Sequence, residues 1–85
     1  MLYHVTYCYN GRVCLEGNST KALAMALVDH VGDLIVGRET RAEYERAKAE
    51  CHDWLFGSDH ASGASHILLV RADDNTAYAV KIERR

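Results

Sequence analysis

The stretch that decides the fold is Tyr3-His4-Val5-Thr6-Tyr7-Cys8-Tyr9-Asn10-Gly11-Arg12-Val13-Cys14-Leu15-Glu16. Large and polar side chains alternate on both sides of Asn10-Gly11, the kind of dipeptide that most strongly marks a β-hairpin. Register matters here, because a slip of one position sends every side chain on a strand to the opposite face. A turn made of Asn10-Gly11 alone would set Cys8 against Val13 and Tyr7 against Cys14, mixing apolar and polar groups on each face. A longer Tyr9-Asn10-Gly11 loop, closed by Gly11 in a left-handed bulge, sets Tyr7 against Val13 and Val5 against Leu15. The pattern favours this second register. Tyr3, Val5, Tyr7, Val13 and Leu15 then point inward, and His4, Thr6, Cys8, Arg12, Cys14 and Glu16 point outward.

Beyond Gly17, Asn18-Ser19-Thr20 supplies helix-capping side chains, and Lys21 to Val28 is rich in strong helix formers. At about 100° per residue, Leu23, Leu27, Val31 and Leu34 share one stripe, the expected buried face, with Met25, Asp29 and Asp33 opposite. Gly32 weakens the last turn and Gly37 is expected to end the segment; Leu34-Ile35-Val36 reads equally as a short buried connector. A capping box, Thr40-Arg41-Ala42-Glu43, marks the start of a second helix that Gly57 stops. Its apolar face is Tyr44, Ala47, Cys51, Trp54 and Leu55; Glu45, Arg46, Glu50 and Asp53 project into water.

The small, polar, aperiodic residues 58–65 read as a mobile loop. His66-Ile67-Leu68-Leu69-Val70 is apolar without alternation, which suggests a strand buried on both faces and central in its sheet. A turn at Ala72-Asp73-Asp74-Asn75 leads into an alternating strand with Tyr78, Val80 and Ile82 inward. The chain is thus expected to be α+β, in ββααββ order, with a four-stranded, mainly antiparallel sheet and both helices on one face. Strand order stays open. The outer sheet face is expected to carry His4, Thr6, Cys8, Cys14, Glu16, Leu68, Val70, Ala77 and Ala79.

At 85 residues one domain spanning 1–85 is expected, near the size where a core is only marginally sufficient; a homodimer would help it. A formal charge of -2 argues neither for a nucleic-acid binder nor for an acidic mimic. Met1-Leu2-Tyr3-His4 lacks the basic segment and apolar run of a signal peptide, and no stretch reaches the ~18 apolar residues of a membrane span. A cytoplasmic protein away from the membrane is expected, its three cysteines reduced.

Chemistry-bearing residues are present without the patterns that chemistry needs. His4, Cys8 and Cys14 lack the knuckle spacing and fourth ligand of a structural zinc site. In the set Cys51, His52, His60 and His66, the cysteine points into the core. Ser58-Asp59-His60 holds triad residue types, but three consecutive loop residues rarely present triad geometry, and no nucleophile elbow or phosphate-binding glycine loop occurs. No enzyme, metal or cofactor is therefore expected. Nucleic acid is not expected either: Arg12, Lys81, Arg84 and Arg85 make a thin basic edge, and only Tyr9 escapes the core among the tyrosines.

What remains is a protein-binding module, with Tyr9, Asn10 and Arg12 at the hairpin tip and Leu68 and Val70 on the outer face as the candidate contacts. In size and layout alone the chain is similar to the small phage and mobile-element proteins, anti-CRISPR proteins among them, that inhibit a host complex by occlusion. A small metal-binding or nucleic-acid-binding regulator is the alternative.

Overall fold

Asn10 and Gly11 both take positive φ, 49° and 82°, the pair of values of the tight turn whose twist suits a hairpin. In the computed structural model, which describes residues 2–35, 38–72 and 74–85, they join β1 (Tyr3–Tyr9) to β2 (Arg12–Ser19). The expected three-residue loop is therefore corrected: Tyr9 stands opposite Arg12 and Cys8 opposite Val13, and an irregularity then sets Tyr7 opposite Leu15 and Val5 opposite Gly17. Cys14 is the extra residue of a β-bulge. It re-phases the strand so that the turn keeps the geometry Asn-Gly prefers while Leu15 still reaches the inner face. Val13 falls instead on the face of Cys8, outside.

Helix α1 (Lys21–Leu34) is capped by Thr20, whose side chain accepts from the Leu23 N–H at 3.3 Å. Helix α2 (Arg38–Gly57) starts before the capping box, so Thr40 lies in its first turn and is buried there. Strands β3 (Ser65–Arg71) and β4 (Ala77–Arg84) complete an antiparallel sheet of order β2-β1-β4-β3. The ββααββ expectation holds. Strand β3 is not central, however; it is an edge strand beside β4. Val36 of the expected connector, the expected stop Gly37 and Asp73 of the second turn lie outside the described residues.

One apolar core joins Tyr3 and Val5 of β1 to Leu68, Val70, Tyr78, Val80 and Ile82 of the second hairpin, under Val28, Val31, Tyr44, Cys51 and Leu55 of the helices. The apolar face expected for α2 is the one it buries. That of α1 is rotated: Ala24, Met25, Val28, Val31 and Gly32 are buried, whereas Leu23 is 62% exposed and Leu34 is exposed as well. The apolar arc of α1, from Leu23 round to Met25, covers roughly 200° of the wheel, more than one sheet contact can bury. Small residues decide which part goes in. A Cβ on Gly32 would collide with the Tyr44 ring, so glycine is what lets the helices approach here. The Tyr44 hydroxyl donates to the Val28 carbonyl at 2.7 Å, and Arg41 donates to the Gly32 carbonyl at 2.8 Å. Lys48 and Asp29 bridge the same helices at 2.6 Å.

The segment after α2 is tied down at several points. His60 hydrogen-bonds the Trp54 carbonyl and stacks on the indole at 4.0 Å, with His66 also stacked on it at 5.6 Å. Gly63 donates to the Arg84 carbonyl at 2.8 Å and Arg84 donates to that of Ala64 at 2.7 Å. Among the described residues no helix is long and apolar enough to cross a membrane.

Candidate protein-binding surface

The hairpin tip is less free than its sequence suggests. Asn10 spends its polar groups on the neighbouring hairpin: its N–H donates to the Ala77 carbonyl at 2.9 Å and its side-chain oxygen accepts from the Ala77 N–H at 2.8 Å. Tyr9 is 42% exposed, and its ring packs edge-on against Tyr78 at 5.6 Å. Arg12 faces it across the strand pair and is exposed.

Leu68 and Val70 are not on the outer face. Leu68 stands opposite Val80 and Val70 opposite Tyr78, which puts both inside, at 1% and 0% exposure. An unbroken apolar run carries no parity, so only the pairing partner could tell which alternate residues go in. The outward apolar residues of β3 are Ile67 and Leu69, each 57% exposed, between Ser65 and Arg71 on the same face. Leu69, Ala79, Cys8 and Val13 are successive cross-strand partners, so one apolar row crosses the whole outer face.

The residues weighed for chemistry are employed otherwise. His4 sits between Asn18, 3.2 Å from Nδ1, and Glu16, 3.5 Å from Nε2. Asp59 pairs with Lys21 at 3.7 Å and His60 is held by Trp54, so Ser58-Asp59-His60 does not assemble. Burial pushes the Cys51 thiol up to about 11, leaving it protonated and inert at neutral pH. Among the described residues no three His, Cys, Asp or Glu side chains gather as a metal site would require. Arg12 lies beside one end of β1 and Arg84 beside the other, so these two do not gather at one edge.

A concave surface occurs where none was expected, between β2 and α1. Val5, Leu15, Gly17, Leu23 and Leu27 line a hollow of about 240 Å³, with Glu16, Asn18 and Ser19 at its rim. Leu15 is 56% exposed and no residue of β2 is buried, because β2 is an edge strand that α1 only partly overhangs. The signal for this site was present at Gly17, a glycine at a position where alternation through Leu15 calls for an inward apolar side chain. A strand that ends at Glu16, as the alternation alone suggests, hides this gap.

Comparison with family models, with curated proteins and with solved structures finds no match. The chain is a small α+β protein with an open, four-stranded antiparallel sheet, and its surface is the basis for a functional reading.

Proposed function

We propose that this chain is a non-catalytic protein-binding module whose contact surface is the β2 edge together with the hollow beneath α1. The observation that carries this reading is the clustering of Leu15, Leu23 and Leu27 around an apolar hollow beside the open edge of β2. Fully burying a leucine side chain is worth about 1.5–3 kcal/mol. Leaving several half-exposed at one place is a cost that association would remove. Occlusion of a partner's surface, as small inhibitors act, is a use that suits a rigid sheet edge. The outer row of Val13, Cys8, Ala79 and Leu69 supports a second contact face, flatter and without a hollow.

The test is a photo-crosslinking amino acid placed at Leu23 and, separately, at Leu69 on the outer sheet face and at Arg46 on the solvated face of α2, in the cells that naturally make the protein. Discrete adducts from Leu23 that are absent from Arg46 are expected. Adducts shared by Leu23 and Arg46, or obtained only from Leu69, would remove the groove from the proposal.

A further inference from the structure

The β2 edge presents a shape on its inner face and a charge on its outer face, and together they specify what pairs with it. On the inner sheet face the registers align His66, Ile82, Val5 and Gly17 as one row across all four strands. The row ends at a residue with no side chain. Nothing lies within 4 Å of where a Cβ on Gly17 would sit, and its φ is outside the left-handed range, so neither crowding nor backbone geometry calls for glycine there. What glycine leaves is an empty side-chain place, walled by Leu15 and Val5 and overhung by Leu23 and Leu27. A strand pairing with the free edge of β2 would put one inward side chain opposite Gly17, the way a large cross-strand neighbour covers an edge glycine.

The next residue along such a strand meets Glu16 on the outer face. Glu16 stands in a row with Thr6, Lys81 and Ile67. Its carboxylate is half exposed, with His4 as its neighbour at 3.5 Å, and among the described residues around the hollow it alone is charged. A cation opposite it is favoured, a second carboxylate disfavoured. This bears on self-association. In an antiparallel β2–β2 pairing of two copies, the register that fills the hollow sets Leu15 of one copy opposite Gly17 of the other, and that same register sets Glu16 against Glu16. The register centred on Gly17 leaves both hollows empty. A second copy therefore fits this edge poorly. Bulging at Cys14 confines regular pairing to residues 15–19.

Resting on the proposed binding role of this groove, we infer that its occupant is an extended segment of a different protein, added to β2 as an antiparallel fifth strand. That segment places a large apolar side chain opposite Gly17, followed directly by Lys or Arg opposite Glu16. Main-chain hydrogen bonds to the edge supply affinity, and the hollow and Glu16 supply selectivity.

The experiment is an NMR titration of the isotopically labelled full chain with the blocked peptide acetyl-Thr-Leu-Lys-Val-Thr-amide. Saturable shifts are expected at the amides of Leu15, Glu16, Gly17, Asn18 and Ser19 and of Leu23 and Leu27. Replacing the peptide's Lys by Glu should weaken binding about two- to fivefold, the range of an opposed cross-strand charge pair. Gly17→Leu, whose Cβ enters open space and whose side chain occupies the place the peptide would take, should weaken it about tenfold or more while the thermal melt stays near wild type. Glu16→Lys should reverse the preference between the two peptides. Equal binding of both peptides, unchanged binding by Gly17→Leu, or saturable shifts centred on Ile67 and Leu69 would overturn the inference. A Leu23 crosslink that persists while these peptides fail would discard strand addition and leave protein binding itself standing.

Discussion

The two hairpins of this molecule contain similar amounts of apolar side chain, yet one is finished and the other is not. In the β3–β4 hairpin the inward residues Leu68, Val70, Tyr78, Val80 and Ile82 are all buried, with Tyr44, Cys51 and Leu55 of α2 in the same core. In the β1–β2 hairpin only the β1 side is covered: Tyr3 and Val5 are buried, while Leu15 stays open and Gly17 contributes nothing. The difference lies in how the helices dock. Tyr44 against Gly32 draws α1 toward α2, so α1 commits Ala24, Met25, Val28, Val31 and Gly32 to the core and leaves Leu23 exposed beside the uncovered strand. An incomplete layer in one definite place is a more useful pointer to binding than a scatter of exposed leucines.

Paired substitutions in the two hairpins test this contrast. Leu68→Ala should cost about 2–5 kcal/mol in denaturant unfolding, whereas Leu15→Ala should change stability by no more than about 0.5 kcal/mol; equal costs would mean that β2 is covered in the free protein. The two glycines give the next contrast. Gly32→Ala overpacks the Tyr44 contact and should cost about 1–3 kcal/mol despite alanine's better helix propensity. Gly17→Ala, whose Cβ enters open space, should leave the midpoint of unfolding nearly unchanged.

A smaller effect follows from Cys51, whose thiol burial raises to about 11 from a reference of 9.0. The folded state then holds its proton more tightly than the unfolded state does. That contribution is complete below pH 9 and is lost as pH climbs toward 11, because unfolding releases the proton in that window. Tyr44, raised chiefly by burial as well, declines in the same direction at higher pH. Cys51→Ala should lower stability at pH 7 by about 1 kcal/mol through its cavity and flatten the alkaline decline. In the native protein Cys14 should label quickly with a thiol reagent and Cys51 only through opening. Equal labelling rates would break the assignment of Cys51 to the core.

Which parts were legible in advance follows from the same physics. Strand β4 and helix α2 could be read because Tyr78, Val80 and Ile82 alternate cleanly and Tyr44, Cys51 and Leu55 keep helical spacing. The hairpin register could not, since Val13 and Leu15 look equivalent until the extra residue at Cys14 separates them. The parity of Leu68 and Val70 was hidden in an unbroken apolar run, and the docking face of α1 in an arc too wide to have one centre. The candidate site was the least legible part. It exists only where Gly17 and Leu23, on different elements, come together around one hollow.

The central claim, that the β2 edge and the α1 overhang are where this protein meets its partner, is tested most directly by amide hydrogen exchange. The free chain would be compared with the complex captured through Leu23. The account predicts new protection at the amides of Leu15, Glu16, Gly17, Asn18 and Ser19 and around Leu23 and Leu27, with Ile67 and Leu69 unchanged. Protection gained across Ile67 and Leu69, with the β2 amides exchanging as in the free protein, would contradict it.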